Sequence, residues 1–261
     1  MSAGLIIARR EFLAFFYAPI AYVAGASFMA LNGFSFWALM RSLSNPEQPA
    51  EVGAVLRSFF GGTLLHWLIV FAVAALLSMR SVAEDKRNGN WEATLTTRVS
   101  ALTVLLAKWL ALVSFYCALW LPSVFLIAIF SNYLPEGQSL DMGPVLASYL
   151  GVLVIGGALL AVGVALSSIT ENQVVAAVLS FSVYVAWLML GELDELVGLG
   201  ADSHWLIFVD LRHELSVISL GELRPVFFVS LLSVIVVSLG AARSLAARNH
   251  KSTLRYAVAT L

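Results

Sequence analysis

Apolar residues fall into six blocks along this chain, at about 19–39, 62–79, 105–131, 144–169, 174–191 and 225–242. Each approaches the ~20 residues that a helix needs to cross the hydrocarbon core of a bilayer, and a helix satisfies its backbone donors and acceptors without water. The pattern predicts an all-α membrane protein, a single transmembrane domain over residues 1–261 with six spanning helices. Pro19 stands at the first turn of the first span, where its missing N–H removes no helical bond. Pro122, inside the third, should loosen that helix where an internal bond is lost. In the fourth, Gly151, Gly156, Gly157 and Gly163, with Ala158 and Ala161, thin the helix faces and allow close contact.

The polar segments between the blocks have their own patterns. Residues 2–17 mix Arg9, Arg10 and Glu11 with Leu5, Phe12, Phe15 and Phe16. That is too charged to span and too apolar to float, and it predicts an interfacial helix whose arginine stems snorkel toward headgroups. A basic start and the small residues Ala24 to Ser27 also fit a cleavable leader, but the apolar run continues through Trp37 and is long enough to stay as a span. Residues 40–61 and 132–143 read as outer loops, and Thr170-Glu171-Asn172-Gln173 as a tight inner turn. In 192–224, acids alternate with apolar residues such as Trp205, Ile207 and Phe208, which suits an outer re-entrant region.

The charged segment between the second and third spans, 80–104, has internal order. After the flexible Asn88-Gly89, the residues Trp91, Leu95 and Val99 recur at helical spacing, giving a short helix with one apolar stripe and with Glu92, Thr96 and Arg98 off it. Docking onto a partner protein and resting on lipid headgroups both fit such a stripe.

Composition agrees with a polytopic membrane protein. At 60% hydrophobic and 12% charged residues, with mean hydropathy +0.90, the chain has too few polar residues to cover a soluble globule. The single Cys117 excludes an internal disulfide and a cysteine-based metal cluster. His66 reads as an interfacial histidine, and Asp210 with His213 lacks a third ligand at useful spacing, so no metal is expected. Of the 15 Lys and Arg, only Arg41, Arg57, Arg212 and Arg224 fall outside if both termini are cytoplasmic, which leaves 11 inside and favours that orientation. No Walker A pattern, catalytic triad or paired carboxylates occur, and no ionisable group lies midway through a span. The chain is therefore expected to be no enzyme, to carry no cofactor and to bind no nucleic acid.

The run from Glu84 through Gly89, Trp91, Glu92 and Leu95 to Ser100, with Lys108 following, resembles the signature of ABC-2 type transporter permeases. Gly89, Glu92 and Lys108 hold the matching positions, while Asn90, Thr94 and Arg98 stand where Thr, Leu and Pro are usual. Phe15-Phe16-Tyr17-Ala18-Pro19-Ile20-Ala21-Tyr22, followed by Gly33 and Phe36-Trp37, is similar to the opening of the gliding-motility-associated branch, with Ala18 in place of Ser. The run from His213 to Glu222 resembles the late region of the same branch.

The resemblance implies a type V exporter-like fold with a cytoplasmic coupling helix in a bacterial cytoplasmic (inner) membrane. It implies a permease subunit that couples ATP hydrolysis by a separate ABC ATPase to transport, beside a second permease copy or a related permease, and in this branch a further membrane subunit with a large periplasmic domain. Glu84, Lys86, Gly89, Trp91, Glu92 and Leu95 would meet the ATPase, with Glu171 and Asn172 as a second contact. Arg9, Arg10, Pro19 and Lys108 would sit at the membrane interface, Lys108 snorkelling to the inner surface. A membrane module that relays ATPase work to an envelope or gliding-motility machine, without transport, fits the same residues.

Overall fold

The structure, a computed structural model, describes residues 3–43, 52–95, 99–134, 140–197 and 210–259. Among the described residues every regular element is a helix: α1 (Ala3–Phe15), α2 (Pro19–Leu43), α3 (Val52–Gly61), α4 (Leu64–Ser78), α5 (Ala83–Arg87), α6 (Asn90–Leu95), α7 (Ala101–Asn132), α8 (Met142–Ser167), α9 (Gln173–Val197), α10 (Leu211–Ile218) and α11 (Pro225–Ala259). Six helical stretches are long and apolar enough to cross a membrane: α2, the run Leu64–Arg87 that comprises α4 and α5, α7, α8, α9 and α11. This is the architecture of a multi-pass membrane protein.

Helix α8 is the centre of the bundle, packed by α4, α7, α9 and α11. Its glycines make that possible. A side chain at Gly156 would stand 2.6 Å from Tyr116 Cζ, and one at Gly163 would stand 2.6 Å from the Tyr184 hydroxyl. The thin faces also bring backbone acceptors within reach: Trp109 Nε1 donates to Gly157 O at 2.9 Å and the Tyr184 hydroxyl to Leu159 O at 2.7 Å. Helices α2, α9 and α11 turn Val23, Phe34, Val178, Val229 and Val236 outward, as a lipid-facing rim requires.

The predicted spans stand, with adjusted ends. Helix α7 starts at Ala101, before the expected 105, because Ser100 caps it by accepting from Thr103 N at 3.1 Å. It runs through Pro122 as one helix. The last helix, α11, continues to Ala259, well past 242 where the sixth apolar block ends.

The end of the bundle that carries α3 and α10 differs more. The segment expected as a loop at 40–61 contains α3, because Leu56, Phe59 and Phe60 share one helix face that Arg57 and Ser58 obscure in the sequence. All three are buried, and the Phe60 ring lies 4.9 Å from that of Tyr149. His66 is not interfacial. It is 3% exposed, with the Trp67 and Trp120 rings at 6.5 and 6.2 Å, since its place at the start of α4 lies under α3. From the expected outer region 192–224, α10 packs on α3 and α8, while 198–209 lie outside the described residues. Asp210 caps α10, its Oδ1 accepting from the amides of Arg212 and His213 at 3.0 and 2.9 Å. The buried Glu214 pairs with Arg224 at 3.3 Å.

Candidate functional site

The end of the bundle that holds α5, α6 and the α8–α9 turn gathers most of the charged side chains singled out above, and serines build it. Where α4 ends, the chain must turn at the membrane surface and leaves backbone groups without helical partners. Ser167, at the end of α8, takes three of them: its hydroxyl accepts from Val82 N at 3.2 Å and Ala83 N at 3.0 Å and donates to Met79 O at 3.0 Å. Lys86 Nζ donates to Ser168 O beside it. The loop that holds α5 and α6 is thus fastened to the short turn between α8 and α9. The two segments expected to meet a partner form one continuous surface.

On that surface Arg87, Asn88, Gly89, Asn90, Glu171 and Asn172 are exposed, with Ile169 at 56%. Gly89 adopts φ 72°, a left-handed conformation that breaks α5 from α6 and favours glycine. Asn172 caps α9, accepting from Val174 N at 2.9 Å. Glu171 lies within electrostatic reach of Lys86.

Three expected roles need correction. Trp91 is 3% exposed and belongs to the hydrophobic core, so it is not available to a partner. A large indole on a short helix against a bundle gains more from burial than from projecting into water. Its Nε1 finds no acceptor among the described residues. Glu84 does not wait for a base on a partner, because both its oxygens are held by Arg80 at 2.6 and 3.0 Å. The side chains of Glu92 and Leu95 lie outside the described residues, so their part in the stripe is not described.

The third correction is Lys108. Rather than snorkelling to headgroups, it is 4% exposed, with Nζ 2.8 Å from Asp85 Oδ2 and 3.2 Å from Glu11 Oε1. An ammonium one to two turns inside a spanning helix needs counterions, and here they come from α5 and α1. Arg10 completes the group, bonding Glu11 at 2.8 Å, while Arg9 is exposed. Burial raises the Glu11 carboxyl, but the Lys108 ammonium and the Arg10 guanidinium outweigh it and hold Glu11 below the usual carboxylate range. Ring contacts add to the seat of α1: Phe15 stacks on Phe115 at 5.0 Å and Phe16 meets it edge-on at 5.7 Å.

Glu11, Asp85 and Ser167 had no assigned role in the sequence reading. The signal was present for two of them, since a lysine within an apolar run calls for a carboxylate, and Glu11 and Asp85 are acids of the polar segments next to the spans.

No protein-family model matches the chain, and no curated protein matches it at a significant level.

Proposed function

We propose that this protein is the membrane subunit of an ATP-driven export or transport complex of the ABC-2 type, worked by ATP hydrolysis on a separate polypeptide. The observation that carries this reading is the single inner surface made from the α5–α6 loop and the α8–α9 turn, tied together by Ser167 and Ser168. Such a surface suits a protein that must push or pull on several spanning helices at once, because a force on the loop reaches α4, α8 and α9 together. The resemblance of Gly89, Glu92 and Lys108 to the ABC-2 signature and the absence of a phosphate-cradling loop point the same way.

In this reading both termini and the docking surface face the cytoplasm of a bacterial cell, the chain lies in the inner membrane, and a second copy or a related permease completes the passage. The test is isolation of the native complex in mild detergent. A nucleotide-hydrolysing subunit should copurify in equal amount, and the chain alone should show no saturable ATP binding. Saturable binding by the purified chain, or a complex without an ATPase, would overturn the reading.

A further inference from the structure

The inner surface raises the question of what fixes α1 and the α5–α6 loop to the bundle. Around Lys108 the side chains do not close up. A hollow of about 220 Å³ lies among Glu11, Ala18, Arg80, Glu84, Asp85 and Lys108, and another of about 530 Å³ lies among Ile7, Arg10, Thr94, Val99, Val104 and Lys108. Between these spaces stands the Lys108 ammonium, with one carboxylate from α1 and one from α5 on its donors.

We propose that Lys108 is a positioning residue: one ammonium at the inner end of α7 holds α1 through Glu11 and the α5–α6 loop through Asp85, so that both register on α7. The loop meets the partner and α7 is one of the spanning helices, so this joint is where movement of the loop reaches α7. The inference deepens the coupling role and rests on that reading only in its last test. Because the two carboxylates come from different elements, their effects separate. Glu11 governs the seat of α1, Asp85 governs the loop, and Lys108 governs both.

Two assays on the chain alone read this out. A cysteine pair at Gly4 and Thr103, in a Cys117→Ser background, reports the seat of α1, since a Cβ at Gly4 would lie 3.2 Å from Thr103 Cγ2. Trypsin cleavage after the exposed Arg87 reports the loop. Removing one partner of a buried pair is costly, so Asp85→Asn should speed cleavage at least about tenfold while leaving the disulfide yield unchanged. Glu11→Gln should lower the disulfide yield without changing cleavage, and Lys108→Met should do both. Both carboxamide variants preserve shape, so they decide the matter even if Lys108→Met fails to fold.

Wild-type behaviour of both carboxamides, or equal effects of each on both assays, overturns the proposal. With the copurified ATPase present, Asp85→Asn should keep the partner bound but lose most of the permease-dependent change in hydrolysis, whereas normal stimulation overturns the positioning role. If the wild-type chain retains no ATPase, the functional reading falls, while cleavage and cross-linking still decide whether Lys108 holds the two elements.

Discussion

Tyr116 occupies the space that a side chain at Gly156 would need, its Cζ standing 2.6 Å from where a Cβ would be. Tyr116 is fully buried between α2, α7 and α8, and its ring also meets Phe28 at 6.3 Å and Trp120 at 6.4 Å, so it cannot move aside cheaply. Gly156→Ala should therefore destabilise the bundle by about 1–3 kcal/mol or more, the usual cost of overpacking a tight core. Gly33→Ala, where nothing lies within 4 Å, should have little effect. Thermal unfolding of the two variants in the same detergent checks the contrast. Equal midpoints would show that α7 and α8 are not packed this closely.

The Glu11 carboxyl predicts a pH dependence. Its folded-state value is held below the ordinary one, so its ionisation contributes stability that is present above about pH 4 and is lost as pH falls through the folded-state value. The unfolding midpoint should hold from neutral pH down to about 4 and fall below that, as Glu11 gains a proton and releases Lys108. Glu11→Gln should remove this step. A profile in Glu11→Gln identical to the wild type would assign the acid response to another group.

The six spans were legible because a membrane imposes a length and a composition that few other structures share. The glycines of α8 were legible for the same reason, since close packing is the common use of small residues on a spanning helix. Trp91 and Lys108 were not. A helical stripe tells which residues share a face and not whether that face meets lipid, a partner or the protein's own core. For Trp91 the answer depends on α6 lying against the bundle, and for Lys108 on Glu11 and Asp85 arriving from elements distant in the chain. The α3 face was hidden by a polar environment: Pro46, Pro49 and the acids around it read as a loop, while Leu56, Phe59 and Phe60 turn inward.

Orientation can be read directly. In a Cys117→Ser background, single cysteines at Glu222 and Met142, both exposed at one end of the bundle, should react in intact cells with an impermeant thiol reagent. Cysteines at Asn88 and Asn172, exposed at the other end, should react only after the membrane is opened. This follows from the excess of Lys and Arg on the Asn88 side. Labelling at Asn88 in intact cells would reverse the orientation, and with it the placing of the docking surface.

The burial of Trp91 changes which substitutions report on docking. Trp91→Asp would put a charge into the core and should keep the protein from accumulating, at a cost of several kcal/mol, so loss of a partner there would say nothing about an interface. Ile169 differs: it is 56% exposed, beside the Ser168 carbonyl that binds Lys86, and it adjoins Glu171 on the joint surface. An exposed apolar residue followed by the exposed Glu171 and Asn172, at a turn fastened to the loop that exposes Arg87, has the make-up of an interface centre with a charged rim. With the proposed ATPase docked on this surface, Ile169→Asp should weaken its retention by about 2 kcal/mol, roughly thirtyfold, while leaving the unfolding midpoint unchanged. Arg87→Glu and Glu171→Lys, on the rim, should act mainly on the rate of association and on its salt dependence. Copurification of the ATPase at two salt concentrations separates these effects. Full retention with Ile169→Asp at both would move the docking site away from the α8–α9 turn and leave the α5–α6 loop alone to carry it.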